Sequence, residues 1–226
     1  MKVKSFKINL ITFAILFAVA AGIVVNVKMK NNNVTSISNK AVVNDYKSGA
    51  IKNQQLQEYA TKKHADLENK WKIGYDQFFA GKYVKAIETE NQVLKEDSKF
   101  YKAYAVKGIA LAYNGNFKTG MQQIDNSLKL KPNYGYARFN KALAYELFGY
   151  YTKAITWYKK DLEVEKFEWS YYGIASIYGR KGDINNTVKY LKLGIAINPN
   201  IKNEAKNEKD FDNVKKYKQF KQLIWE

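Results

Sequence analysis

Gly179-Arg180-Lys181-Gly182-Asp183 is the stretch of this chain that comes nearest to a phosphate-binding loop. Glycine-rich backbone N–H groups flanked by two cations could cradle a phosphate. The spacing argues otherwise. A phosphate loop has a longer glycine interval, closes on Lys-Ser/Thr and follows a strand, whereas these residues join two segments of helical periodicity. Glu163, Glu165 and Glu168 are carboxylates that could act as acid and base, but they are spaced like an exposed helix end rather than a facing pair. The single histidine, His64, stands among Lys62, Lys63 and Asp66, and cysteine is absent. Nucleophile–base pairs and His- or thiolate-based metal sites therefore lack their members. So do a disulfide framework and a lipidated cysteine. No catalytic residue, metal or cofactor is expected, and the chain is read as a non-enzyme.

The elements that carry these residues begin with an apolar run. Lys2, Lys4 and Lys7 precede Ile8 to Val27, which holds no charge, and Lys28 and Lys30 follow it. Twenty helical residues span about 30 Å, the thickness of the hydrocarbon core. Ala18-Val19-Ala20 offers a signal-peptidase-like site, but the apolar run continues through Gly22-Ile23-Val24-Val25, longer than a cleaved leader requires. The expectation is an uncleaved transmembrane helix over 8–27 behind a basic flank at 1–7. Three lysines before it and two close behind it place the remainder outside the cytoplasm in a single-pass membrane protein. Residues 28–50, rich in Asn, Ser and Thr, read as a polar tether, with a weak sequon at Asn33-Val34-Thr35. Gly49 is a plausible breaker before a lead-in helix over 51–66, in which Ile51, Leu56, Tyr59 and Leu67 share a face.

The 226-residue chain carries a formal net charge of +17, of which residues 1–66 hold about +7 and the rest is scattered. Only two arginines occur, Arg138 and Arg180, and no dense basic run. Diffuse lysines read as solvated helix faces, and nucleic acid is not an expected partner. An anionic envelope polymer or lipid surface held by the lysine-rich face is the alternative to protein binding. The Lys, Asn, Ile and Tyr bias hints at an AT-rich bacterial genome.

Self-similarity decides the fold. Gly81-Lys82-Tyr83, Gly115-Asn116-Phe117, Gly149-Tyr150-Tyr151 and Gly182-Asp183-Ile184 recur at spacings of 34, 34 and 33 residues. Each glycine turns one helix into the next. A small residue stands seven positions before each: Gly74, Gly108, Ala142 and Ala175. Apolar positions then recur along the second helices, as in Met121, Ile124 and Leu128, and Pro132 and Pro199 end two of the copies.

Over roughly residues 67–201 this pattern resembles the tetratricopeptide-repeat family. The resemblance implies an all-α stack of about four helical hairpins at 67–100, 101–134, 135–167 and 168–201. Departures are Gln77 where an aromatic is usual, Gly120 in place of alanine and Lys166 in place of proline. Phe211, Val214, Tyr217, Phe220 and Ile224 form an apolar stripe in residues 202–226, expected as a C-terminal capping helix or two short ones.

By resemblance, the first helices line a concave groove that binds a helix or peptide of another protein, and the chain serves as a membrane-tethered scaffold. The implied groove residues are Trp71, Tyr75 and Phe79; Ile109 and Tyr113; Tyr136, Phe139, Asn140 and Leu147; and Trp169, Tyr172 and Arg180. The carboxylate clamp of chaperone-tail receptors is not matched: its positions hold Trp71, Tyr75, Val106, Tyr136 and Asn140, of which only Asn140 is a suitable donor. The transmembrane helix, the groove and the lead-in helix each offer a surface for homo-oligomer formation.

Overall fold

The computed structural model describes residues 35–225, with side chains from residue 52 onward. The basic flank at 1–7, the apolar run at 8–27 and the first tether residues at 28–34 lie outside the described residues. Every regular element among the described residues is helical. They fall into two units, divided after Asp66.

In the first unit the chain is already helical from Thr35, the start of helix α1 (Thr35–Phe79). Residues 35–50, expected as a polar tether, are therefore helix, and Gly49 does not interrupt it. The physical reason is modest energetics. Ser, Thr and Asn cost at most about 0.7 kcal/mol each in a helix, and a glycine about 1. Polar composition alone does not force a coil. Leu56 and Tyr59 are exposed.

The second unit begins at Leu67 with the last part of α1 and continues as α2 (Tyr83–Glu96), α3 (Tyr101–Tyr113), α4 (Phe117–Leu130), α5 (Gly135–Leu147), α6 (Tyr151–Leu162), α7 (Glu168–Arg180) and α8 (Ile184–Ile197). Residues 202–226, expected as a cap of one helix or two short ones, follow as α9 (Ile201–Asn207), a 3-10 turn (Lys209–Phe211) and α10 (Lys218–Trp225). Phe211, Val214, Phe220 and Ile224 of that segment are buried against α7 and α8, whereas Tyr217 is exposed. The capping stripe is real apart from Tyr217.

Each hairpin turn is built the same way. Gly81, Gly115, Gly149 and Gly182 have φ of 73°, 87°, 77° and 72°. In each, the glycine N–H donates to the carbonyl three residues back and the next N–H to the carbonyl five back, as in Gly149 to Glu146 at 2.9 Å and Tyr150 to Tyr145 at 2.9 Å. This paired closure satisfies the last carbonyls of the first helix and needs a left-handed residue at its centre. Gly182, the centre of the basic Gly179–Asp183 stretch, is one of these turns, and Asp183 caps α8 by accepting from Asn186 N–H at 3.0 Å.

The helices of a pair cross at small residues. A methyl group at Gly120 would lie 2.6 Å from the Gly108 carbonyl oxygen, and one at Gly108 would lie 2.8 Å from that of Gly120. The glycine that stands in place of alanine in the second copy thus lets α3 and α4 approach backbone to backbone. First helices also pack on one another, α3 against α5 and α5 against α7.

Candidate functional site

The first helices carry a row of aromatic side chains. On the last turns of α1, Trp71 lies 5.5 Å from Tyr75, and Tyr75 lies 4.6 Å from Phe79, all three half-buried. On α5, Tyr136 reaches past α3, and its ring sits 5.6 Å from that of Tyr75. The residues of α3 beneath this bridge are small or aliphatic: Ala105, Val106 and Ile109, all fully buried.

The bridge corrects two of the expected groove residues. Ile109 is 0% exposed, because rings from the first and third hairpins close over it. Asn140 is 1% exposed, and its amide approaches the Ala105 carbonyl at 3.5 Å. Neither can touch a ligand without movement of the rings. Tyr113 belongs to the turn edge rather than the groove, packed 5.5 Å from Phe78 and 5.3 Å from Tyr83. Phe139 packs within the third hairpin, 5.6 Å from Tyr158 and 5.0 Å from Phe167. Leu147 is exposed. Trp169 lies 5.4 Å from Tyr172, which meets Phe211 of the cap at 5.7 Å. What remains accessible as one aromatic surface is Trp71, Tyr75, Phe79 and Tyr136, with the Lys102–Glu68 pair at 2.7 Å as a polar handle. Lys102 also lies 4.8 Å over the Trp71 ring.

Arg180 is not a free groove cation. Its guanidinium donates to Asp210 at 2.7 and 2.6 Å and to Glu146 at 2.9 Å, and it lies 5.4 Å over the Tyr151 ring. Glu146 also accepts from Tyr158 Oη at 2.6 Å and Ser176 Oγ at 3.3 Å. The network ties the third hairpin to the fourth and the fourth to the cap. Burial raises the Glu146 carboxyl above its usual range, with Tyr158, Arg180 and Ser176 pulling the other way.

Three buried acids were missed by the sequence reading, although the 34-residue register marks them. Glu90 occupies the position of Ile124, Tyr158 and Leu191, and all four are at most 1% exposed. Its carboxylate oxygens have no hydrogen-bond partner, and burial pushes its pKa up to about 9. It lies against Gly74, where any Cβ would collide with it. Trp71 Nε1 is likewise buried and unpartnered, and the buried Tyr136 hydroxyl meets only the Asn140 side chain of its own helix. Glu146 stands in register with Phe78, Ala112 and Gly179. Asp161 stands in register with Val93, Ser127 and Gly194; it accepts from Ser170 Oγ at 2.6 Å, and burial lifts it to about 7. A carboxyl at a position filled elsewhere by apolar or small residues is the signal.

On the outer side, a cleft of about 670 Å³ is lined by Met121, Gln122 and Leu128 of α4 together with Trp157 of α6. Lys141 and Lys160 lie 3.9 and 4.3 Å from the Trp157 ring centre. Among the described residues no cluster of three His, Cys, Asp or Glu side chains has the geometry of a metal site.

The tetratricopeptide-repeat profile matches residues 136–166 and 170–201, the third and fourth hairpins. By that match the third and fourth hairpins are tetratricopeptide repeats. Likeness to solved structures extends beyond these two hairpins. A crystal structure of MamA superposes with a TM-score of 0.50 at 25% identity, covering 62% of this chain and 81% of that one. A thermophilic tetratricopeptide-repeat protein of Thermus thermophilus superposes with a TM-score of 0.54 at 17% identity, covering 59% and 74%, a likeness of fold. An uncharacterized protein of Methanocaldococcus jannaschii is 32% identical over 73 residues, covering 32% of this chain and 85% of its own length. The tetratricopeptide-repeat hairpins outside the profile match are the first two, those with Gln77, Glu90 and Gly120 at positions where the other copies differ.

Proposed function

We infer that this tetratricopeptide-repeat protein is a scaffold that binds an apolar or aromatic-anchored segment of another protein on its first three hairpins. The observation that carries this reading is the continuous half-buried row Trp71, Tyr75, Phe79 and Tyr136. Rigid rings with partly exposed faces supply contact area at low entropic cost, and they are enriched among residues that dominate binding energy. The buried, unpartnered Trp71 Nε1 adds a polar group that a partner segment could satisfy after a small ring movement. The serine hydroxyls that meet a carboxylate, Ser170 on Asp161 and Ser176 on Glu146, are buried between helices, and the reading is of binding rather than catalysis.

The scaffold is tethered to a membrane by residues 8–27, with the repeats outside the cytoplasm. The support for this is the length of the uncharged run and the lysines on either side of it.

Selection of displayed peptides on the detergent-solubilised full chain tests the binding reading. Enriched peptides should carry apolar anchors, and Tyr75→Ala should weaken them by roughly 30-fold, the loss typical of a dominant anchor. Affinity unchanged in both Tyr75→Ala and Trp71→Ala would remove the aromatic row from the binding surface. For the tether, the chain should resist alkaline extraction from membranes, and its repeats should be cut by protease added to intact cells. Cleavage only after lysis would reverse the orientation.

A further inference from the structure

The four hairpin turns lie side by side along one edge of the repeat unit, and ring contacts join each to the next. Tyr83 of the first turn is 5.3 Å from Tyr113 of the second. Phe117 of the second is 4.7 Å from Phe148 and 5.3 Å from Tyr150 of the third. Tyr151 of the third lies 5.4 Å beneath Arg180 of the fourth. The edge is therefore one continuous surface.

Its unpaired charge is positive. Lys82, Lys85, Lys118, Lys153 and Lys181 are all exposed on it, and none forms an ion pair among the described residues. The acids beside the turns are engaged: Asp183 caps α8, Glu146 and Asp210 hold Arg180, and Asp76 pairs with Lys72. Interleaved with the lysines are exposed apolar side chains: Val84 at 55%, Leu147 at 47%, Phe148 at 38% and Tyr150 at 47%. Lys153 lies 5.5 and 5.4 Å over the Tyr145 and Tyr150 rings. The opposite edge also exposes Leu130, Val164 and Ile197. There, however, Glu96, Asp97, Glu163 and Glu165 are mixed with Lys99, Lys131 and Lys166.

We propose that the turn edge docks on an anionic lipid bilayer. Uncompensated lysines are drawn to an anionic surface, and Phe, Tyr and aliphatic side chains between them enter the headgroup region, where amphipathic rings are favoured. The turns present both along a line rather than around a pocket, which suits an extended surface. A folded acidic protein or a soluble polyanion would be attracted by the same lysines but gives the exposed Leu147, Phe148 and Tyr150 nowhere to be buried. This docking is separate from the partner-binding row and does not depend on it.

The absence of cysteine makes the test direct. Single variants of the full chain, Thr152→Cys on the turn edge and Ser98→Cys on the opposite edge, are labelled with an environment-sensitive fluorophore. They are mixed or reconstituted with phosphatidylcholine vesicles, with or without about 30 mol% phosphatidylglycerol, carrying headgroup nitroxide quenchers. Quenching at position 152 that needs the anionic lipid, fades in about 0.5 M salt and is weak at position 98 is the expected result. Each lysine contributes roughly fivefold to partitioning. Reversal of Lys82, Lys85, Lys118 and Lys153 to Glu should therefore cost at least about 100-fold, with helicity by circular dichroism unchanged. Phe148→Ser with Tyr150→Ser should weaken docking while the charge stays the same. Equal quenching at both positions, or quenching indifferent to anionic lipid, overturns the proposal. So does binding to soluble polyphosphate that matches binding to vesicles and ignores the Phe148 and Tyr150 substitutions.

Discussion

The ring of Tyr136 sits 5.6 Å from that of Tyr75, although one belongs to the third hairpin and the other to the first. The contact passes over α3, whose Ala105 and Ile109 are too small to keep the rings apart. It turns a groove expected to be open into a floor covered by the protein's own side chains. A ligand that reaches Asn140 must first displace a ring.

Removing the bridge should expose the floor. Tyr136→Ala is expected to destabilise the protein by about 2–4 kcal/mol, as truncation of a packed aromatic does. It should also raise hydrogen exchange at Ala105 to Ile109. Tyr136→Phe separates packing from the hydroxyl. That hydroxyl is buried against the Asn140 side chain, so the phenylalanine should cost no more than about 1.5 kcal/mol in chemical denaturation.

Glu90 makes the first hairpin sensitive to pH. Its folded pKa of about 9 lies above the ordinary carboxyl value of 4.5. Between these values the folded state holds the proton more often than the unfolded state, so stability falls as pH rises. The slope is up to about 1.4 kcal/mol per pH unit. Asp161, raised from 3.8 to about 7, acts in the same direction over a lower window. Thermal melts of the wild type should therefore decline from pH 5 to 9, and Glu90→Gln should flatten the upper part. Glu90→Leu, which restores the residue type of Ile124 and Leu191, should raise the melting temperature at pH 8. A melting temperature independent of pH above 7 would rule out a buried Glu90.

Arg180 is expected to act on stability more than on binding. Arg180→Met leaves Glu146 buried without its cation and releases Asp210 of the cap. A loss of about 3–5 kcal/mol follows for a broken buried pair. Asp210→Asn alone should cost less, since Glu146 keeps its arginine. A double-mutant cycle of the two by urea denaturation should show coupling above about 0.5 kcal/mol.

Gly120 tests the closeness of the α3–α4 crossing. Alanine would gain up to about 1 kcal/mol of helix propensity. Its methyl group would also lie 2.6 Å from the Gly108 carbonyl, a backbone atom that cannot rotate away. Overpacking of this kind costs about 1–3 kcal/mol, so Gly120→Ala should be net destabilising in equilibrium unfolding.

The hairpins were legible because their determinants are local and repeated. A glycine in the left-handed region, a small residue seven positions earlier and an apolar stripe in each second helix act within one hairpin, and the recurrence of Gly81, Gly115, Gly149 and Gly182 repeats the message. The stretch at 35–50 was misread because its signal was composition, and Ser, Thr and Asn weigh little against a helix. Glu90 and Glu146 were readable in register but overlooked, since a charged residue suggests a surface until its position is compared with its equivalents.

The sequence alone determined the period, the turns, the helix pairs and the aromatic wealth of the first helices. Only the tertiary structure decided which aromatics remain accessible. That depends on how far a ring from one hairpin reaches over the next, and this is set by the bulk of the residues between them. Ala105 and Ile109 are small enough for Tyr136 to close over. Arg180 found two carboxylates, one in the third hairpin and one in the cap, 34 and 30 residues away. Packing and charge pairing across such separations have no local signature, because the partners are brought together by the stacking of hairpins and not by their spacing along the chain.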